Sequence, residues 1–376
     1  MKKFISLFVF LFLSSSLYAQ SAPQPPALDV KSYVLLDFES GTVLASKEPH
    51  LRVEPASLTK IMTTYVAFDE LQHGRVSMDD QVLISEKAWR SEGSRSFIEV
   101  GKRVRFEDLL HGSIIQSGND ASIAIAEHIA GDESVFVQLM NKHAKRLGMV
   151  DTQFSNATGL PSPELYTSAY DMALLSQALI RDFPDLYPWF KDQEFTYNNI
   201  RQYNRNQLLD LDPTADGIKT GHTSAAGYCL AGSAIRDGRR LITVMMSAKG
   251  SRERAQMTKG LLDYGFRFFE TARLFGVQKP VATVRAWKGA VTELPVGVAE
   301  PVALALPRGS SDRLQINHQI EGPVLAPIRA GQVLGTVTVS LNGEVLRTQP
   351  LVSLQSVEAG SLWQRASDTV RMFLQD

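Results

Sequence analysis

Ser57-Leu58-Thr59-Lys60 places a hydroxyl and an amine three residues apart where Pro55-Ala56 leads into the strongest helical period of the chain. On a helix that spacing stacks both side chains on one face, within reach of each other. The hydroxyl is then a nucleophile if the lysine is neutral, and the positive end of the helix favours a developing oxyanion. An N-capping serine followed by a solvated lysine has the same four letters. Ser117-Gly118-Asn119 falls between an apolar helix ending near Gln116 and another starting at Asp120. A turn there presents two polar side chains, or simply caps the next helix through Asn119 or Asp120. Lys219-Thr220-Gly221-His222-Thr223 opens a β-rich block. Gly221 lets a ligand approach the strand backbone and Lys219 sets a positive charge beside it; an edge strand with a solvated lysine is the plain alternative. Together the residue types supply a nucleophile, a base, a second hydroxyl, a carboxamide and a cation, the parts of an acyl transfer.

These motifs need a scaffold of strands and helices. Tyr33–Phe38 reads as a strand, Glu39-Ser40-Gly41 as a turn and Thr42–Ala45 as the returning strand. Apolar residues at Leu58, Ile61, Met62, Tyr65, Val66 and Phe68 mark a packed helix. Further helices fit Phe106–Gln116, Asp120–Ala130, Val135–Leu147 and Ala169–Arg181. Two β runs, Gly227–Ile235 and Leu241–Ser247, meet at Asp237-Gly238, a hairpin signal, and an amphipathic helix spans roughly Glu253–Thr271. The pattern predicts an α+β fold, an antiparallel sheet flanked by helices, over residues 28–275. From 276 to 358 alternating runs separated by turns such as Leu341-Asn342-Gly343 predict a small all-β domain. Residues 359–376 form an amphipathic helix with Leu362, Trp363, Val370 and Phe373 on one side and Arg365, Asp368 and Arg371 on the other. Two readings fit that helix: it lies in a membrane interface, or it docks on its own β domain.

Residues 1–19 read as a secretory signal peptide: Met1-Lys2-Lys3, an apolar run, then small residues to Ala19. Cleavage is expected after Ala19, with Ala22 as a second site, and a retained anchor helix is the other reading. The apolar run is shorter than the about 20 residues a membrane span needs. Residues 20–27 (QSAPQPPA) read as a Pro-rich tether. Export predicts a chain acting outside the cytoplasm. With 39 Lys+Arg against 40 Asp+Glu, it lacks the basic excess of a nucleic-acid protein. The lone Cys229, in an apolar run, excludes an internal disulfide framework and reads as a buried small residue. The seven histidines include no H-E-x-x-H pair, so neither a metal nor a cofactor is implied.

S-x-x-K, S-x-N and K-T-G in this order form the joint signature of penicillin-binding proteins and class A β-lactamases. The segments Glu54–Tyr65 (EPASLTKIMTTY), Gln116–Ala121 (QSGNDA) and Asp216–Ala234 (DGIKTGHTSAAGYCLAGSA) resemble the D-alanyl-D-alanine carboxypeptidases of the low-molecular-mass penicillin-binding proteins. The resemblance covers nearly the whole chain after the signal segment, including the β domain and the tail. It implies Ser57 as nucleophile, Lys60 as base, Ser117 as proton donor to the leaving amine and Asn119 as a substrate hydrogen-bonding group. It further implies an oxyanion hole from the Ser57 and His222 backbone N–H groups, and a carboxylate clamp from Lys219, Thr220 and Arg205 beside Gly221. For Lys60 to be neutral its pKa must fall from about 10.4 to near 7–8, roughly 4 kcal/mol, which burial and the charge of Lys219 would both favour. Arg205 lies in Tyr203-Asn204-Arg205-Asn206, which resembles the family's arginine-bearing segment; the match departs at Leu209-Asp210-Leu211, where the family usually has a tryptophan and one more residue. The implied partners are a peptidoglycan pentapeptide ending in D-Ala-D-Ala, β-lactams as covalent inhibitors, and the outer face of the cytoplasmic membrane, reached through the C-terminal helix.

Three rivals remain at the sequence level. A β-lactamase would need a glutamate base, but Ser162-Pro163-Glu164-Leu165-Tyr166 echoes that loop with Ser162 at the base position. A non-catalytic envelope protein would be expected to lose Ser57 or Lys60 first. A DD-endopeptidase would carry the same three motifs. Residues Val82–Val100 read as a loop beside the cleft that tunes deacylation.

Overall fold

The computed structural model describes residues 22–374, so the signal segment expected over 1–19 lies outside the described residues. Strands β1 (Ser32–Asp37) and β2 (Val43–Lys47) form the first hairpin. A one-turn 3-10 segment, Ala56–Leu58, leads into α1 (Thr59–Gln72). A short pair, β3 (Gln81–Leu83) and β4 (Arg103–Arg105), brackets α2 (Glu86–Trp89) and the loop after it. Helices α3 (Phe106–His111), α4 (Asn119–Ala130), α5 (Glu133–Arg146) and α6 (Ala169–Asp182) follow. Then come a hairpin of β5 (Glu194–Tyr197) and β6 (Ile200–Tyr203), the single turn α7 (Leu208–Leu211), strands β7 (Ala215–Thr223), β8 (Gly227–Arg236) and β9 (Arg239–Ala248), and α8 (Ser251–Phe268).

The main sheet is antiparallel throughout, in the order β2-β1-β9-β8-β7. Period-two alternation on β1 divides its buried residues between two cores. Val34 and Leu36 join Ile61, Met62, Ile125 and Leu175, from α1, α4 and α6, while Tyr33 and Leu35 join Leu261 and Leu262 of α8. A sheet covered on both faces is the expected α+β architecture, and it leaves β7 as an open edge. The hairpin between β8 and β9 turns at Asp237-Gly238 with φ of +51° and +73°, the left-handed pair a two-residue turn requires.

Three expectations are corrected. The helix expected over Phe106–Gln116 is α-helical only to His111. Gly112–Gln116 widens into a π-helical turn that ends at Ser117 in the left-handed region, φ +64°. The helix expected to reach Thr271 ends at Phe268. Its successor β10 (Phe269–Phe275) pairs with β13 (Val302–Pro307), so strand pairing with the β-rich region begins before residue 276. Apolar spacing continues across this point, but Arg239 and Arg308 take the terminal carbonyls: Arg239 donates to Gly265 O and Phe269 O, and Arg308 to Phe266 O and Arg267 O. Finally, the described part of the Pro-rich leader is held against α8, where Tyr264 Oη donates to Pro23 O at 2.6 Å.

The C-terminal sheet has the order β14-β16-β17-β12-β11-β15. Its strands are β11 (Ala282–Trp287), β12 (Glu293–Val298), β14 (Leu314–Ile320), β15 (Val324–Leu325), β16 (Val333–Leu341) and β17 (Glu344–Ser353). It closes its own core around Leu294, Val296, Val337 and Leu351. Helix α9 (Leu362–Phe373) starts with a capping box between Ser361 and Gln364. It meets the β domain through its polar side. Asp368 is buried, accepting from Arg285 Nη2 at 3.0 Å and Lys288 N at 2.7 Å. Trp363 and Phe373 face away, 87% and 84% exposed. Among the described residues no helix is long and apolar enough to cross a membrane.

Candidate active site

The nucleophile turn is built by close packing of backbone. Ala56 sits at φ +48° ahead of Ser57, and two glycines press on it. A Cβ on Gly159 would stand 1.8 Å from Ala56 O, and one on Gly221 would stand 3.0 Å from Pro55 O and 3.2 Å from Leu58 N. Strand β7 therefore lies directly against the turn that carries Ser57; only glycine fits at 159, and a Cβ at 221 would require its neighbours to give by a few tenths of an ångström.

Lys60, in the first turn of α1, is buried. Its Nζ lies 3.2 Å from Ser57 Oγ and donates to Asn119 Oδ1 and Thr158 O, each at 2.6 Å. Three acceptors fix the amine beside the hydroxyl. Burial pulls the Lys60 pKa down to about 7; Asp120 opposes the shift and Arg205 adds to it. The neighbouring positive charge that lowers Lys60 is thus Arg205, where the sequence suggested Lys219. Lys219 is itself buried and pushed well below the ordinary lysine range, by desolvation first and then by Lys60, Arg205 and Arg254. Its one hydrogen bond within the described residues is a long one, 3.4 Å to Thr220 O.

Asn119 is held by the loop after α2: its N–H donates to Ser94 O at 2.7 Å and its Nδ2 to Glu92 O at 2.5 Å. That places the loop expected beside the cleft in direct contact with the second motif. Ser117 Oγ is buried without a hydrogen-bond partner among the described residues. His222 is exposed, its ring 4.1 Å from that of Tyr228. Cys229 is buried, and burial pushes its thiol up to about 11, which makes it inert.

A cavity of about 820 Å³ joins these elements, lined by Ser57, Ser117, Asn119, Thr220, Gly221 and His222, with Arg205 and Arg254 also on its wall. Lys60 and Lys219 lie behind that lining. All nine residues singled out from sequence are therefore in or immediately behind one cleft. Arg254 was missed. It is a buried guanidinium that donates to Gly221 O at 3.1 Å and Cys229 O at 3.0 Å, with no carboxylate in contact among the described residues; burial lowers its pKa to about 10. A signal existed, because Arg254 shares a helical face with Thr258 and Leu261, all buried. The contributions of Thr158 O, Glu92 O and Ser94 O come from backbone and leave no trace in residue type. Among the described residues Asp210 is the one carboxylate in the lining, whereas Glu164 is exposed and outside it.

A family model described as D-alanyl-D-alanine carboxypeptidase matches residues 19–250, and one described as penicillin-binding protein 5, C-terminal domain, matches 269–359. The D-alanyl-D-alanine carboxypeptidase DacC of Escherichia coli K12 is 40% identical over 375 residues, covering 98% of this chain and 94% of its own. The crystal structure of penicillin binding protein 5 from Haemophilus influenzae superimposes with a TM-score of 0.85 at 36% identity, covering 90% of this chain and all of that one. Penicillin-binding protein D2 from Listeria monocytogenes, solved in the ampicillin bound form, gives a TM-score of 0.60 at 28% identity, covering 65% of this chain and all of its own. With both units matched in order and the three motifs gathered in one cleft, the chain belongs to the serine-type D-alanyl-D-alanine carboxypeptidase family.

Proposed function

We propose that this enzyme removes the terminal D-Ala from peptidoglycan pentapeptides through an acyl-enzyme on Ser57. The observation that carries the proposal is the buried Lys60 Nζ, 3.2 Å from Ser57 Oγ, with a pKa near neutrality. Neutral Lys60 takes the hydroxyl proton as Ser57 Oγ bonds to the penultimate D-Ala carbonyl carbon. The oxyanion is met by the backbone N–H groups of Ser57 and His222, where one donor is typically worth about 2.7–4 kcal/mol. Ser117 Oγ, without a hydrogen-bond partner among the described residues, passes a proton to the departing amine, and Asn119 hydrogen-bonds the substrate backbone. The open edge of β7 at Gly221 offers main-chain partners to an extended peptide. Lys219, Thr220, Arg205 and, in addition, Arg254 receive the terminal carboxylate. Water then hydrolyses the ester. A penicilloyl group on Ser57 would be long-lived, since Glu164 lies outside the cavity.

The direct test is D-Ala release from a disaccharide pentapeptide, followed by mass spectrometry. Wild type is expected to shorten the substrate by one residue, and Arg254→Ala to raise KM about tenfold or more through loss of a charged contact. No release by wild type would overturn the proposal. The pH profile offers a second check. Only neutral Lys60 is a base, and its pKa is depressed to about 7. Acylation by benzylpenicillin should therefore plateau above pH 8 and fall about tenfold per unit below pH 7. A flat stopped-flow profile from pH 5.5 to 8.5 would remove Lys60 from that role.

The same reading places the protein, after export, on the outer face of the cytoplasmic membrane, with residues 28–275 catalytic, 276–358 the all-β support and 359–376 the attachment helix. The strand Phe269–Phe275 favours moving the first boundary a few residues earlier. What supports attachment is that α9 docks by Asp368 and leaves Leu362, Trp363, Val370 and Phe373 outward. Each such side chain is worth about 1.5–3 kcal/mol when fully buried. The full mature chain should float with phospholipid vesicles, a chain ending at 359 should not, and Trp363→Ser with Phe373→Ser should float weakly. Equal flotation of all three would sink the idea.

A further inference from the structure

Asp120, the residue after the second motif, is buried and has no task in the acyl transfer described above. Its carboxylate accepts only from backbone. Oδ1 takes Ser96 N at 2.8 Å and Ala121 N at 2.9 Å, and Oδ2 takes Ile98 N at 3.4 Å. Two of these donors belong to the loop after α2 and flank Phe97. That residue adopts φ +62°, a region a bulky side chain enters only under constraint. The Phe97 ring is exposed, so its own packing does not explain the turn; the carboxylate gripping both its neighbours does. The grip draws the loop hard against the second motif. Ser96 Oγ lies 2.4 Å from where a Cβ on Gly112 would stand and 2.0 Å from one on Gly118. Gln202 of β6 ties the same residue from the other side, donating to Ser96 O at 3.2 Å.

What the loop delivers is the orientation of Asn119. Asn119 N donates to Ser94 O at 2.7 Å, and its Nδ2 donates to Glu92 O at 2.5 Å. A carboxamide has one acceptor end and one donor end. Committing Nδ2 to Glu92 O therefore turns Oδ1 toward Lys60 Nζ, 2.6 Å away. The reverse orientation would set N–H groups against the lysine. From Asp120 to the loop, from the loop to Asn119 and from Asn119 to Lys60, every link is a hydrogen bond.

We infer that Asp120 is a positioning residue for the acyl transfer: its carboxylate clamps the loop after α2 onto the second motif so that Asn119 holds Lys60 beside Ser57, and it sets a negative charge near that lysine. The inference rests on the Ser57–Lys60 reading above and extends it. The charged and titratable groups concerned come from four elements. Asp120 of α4 opposes the lowering of the Lys60 pKa, and Arg205, from the segment after β6, adds to it. Lys219 of β7 is itself pushed down in part by Lys60, and Tyr197 of β5 also feels Asp120. Removing the Asp120 charge leaves Arg205 unopposed. The Lys60 pKa then falls further below about 7, and the lysine becomes neutral at lower pH.

The test is the stopped-flow rate of acylation by benzylpenicillin from pH 5 to 8.5 for the full mature chain and three variants. Asp120→Asn keeps an acceptor for Ser96 N but turns an amide N–H toward Ile98 N and carries no charge. Its plateau should fall roughly tenfold and the midpoint of its pH limb should move down by about one unit. Phe97→Pro cannot adopt a positive φ, so it pulls the turn away from Asp120 and leaves the charge in place. Its plateau should fall roughly tenfold with the midpoint unmoved. Phe97→Gly suits φ +62° and should match wild type in both. A midpoint unchanged in Asp120→Asn would reduce Asp120 to a packing role, and a wild-type rate in Phe97→Pro would disconnect the loop from the lysine; either overturns the inference. Because Phe97 is exposed, the comparison of its two variants decides even where Asp120→Asn does not fold. Failure of the underlying reading looks different: wild type itself would form no adduct or show no pH limb.

Discussion

Lys60→Met is expected to acylate with benzylpenicillin about four orders of magnitude more slowly than wild type, and Ser57→Ala to give no covalent adduct in intact-mass spectra. The magnitude follows from what Lys60 does in the geometry. Its Nζ is held by Asn119 Oδ1 and Thr158 O at 2.6 Å each and has Ser57 Oγ as its third neighbour. Methionine fills the same volume with no proton acceptor for Ser57. Combining the two substitutions should cost little more than either alone, because nucleophile and base act as a unit. Lys60→Met reacting within tenfold of wild type would show that another group activates Ser57.

Gly159→Ala should unfold the nucleophile turn from a distance in sequence. At φ +85°, alanine is strained whatever the space, and here its Cβ would meet Ala56 O at 1.8 Å and Thr59 Oγ1 at 2.9 Å. The expected cost is roughly 3 kcal/mol, from strain plus overpacking, with a lower Tm and a penicillin acylation rate reduced at least a hundredfold. Gly74→Ala is the control: it has φ +66° but nothing within 4 Å of its Cβ, so only the strain of about 1 kcal/mol applies and acylation is unchanged. Equal behaviour of the two variants would show that backbone conformation, and not the contact with Ala56, decides the outcome.

How much of this was legible beforehand differs by element. The hairpin at Asp237-Gly238, the alternation on β1 and the helical period from Leu58 to Phe68 depend on neighbours a few residues apart, so they stand in the sequence. The end of α8 does not. Apolar residues run on past Phe268, and what terminates the helix is Arg239 and Arg308, 26 or more residues away, taking its last carbonyls. The close approach at Gly112 was equally invisible: Ser96 Oγ lies 2.4 Å from where a Cβ would stand, a contact made by a distant loop.

The site divides the same way. Residue type, spacing and the family resemblance singled out Ser57, Lys60, Ser117, Asn119 and Lys219 as the candidates, because acyl transfer needs those functional groups and local spacing aligns the first two. Tertiary structure decided their surroundings. It buried Lys60 enough to bring its pKa to about 7, chose Arg205 and Asp120 as the charges acting on it, and added Arg254 to the wall. It also settled which side of α9 meets the β domain, since both faces of an amphipathic helix are present in sequence and only the Asp368 contacts with Arg285 and Lys288 select one. Functional groups are written locally, whereas desolvation and long-range charge depend on everything the fold packs around them.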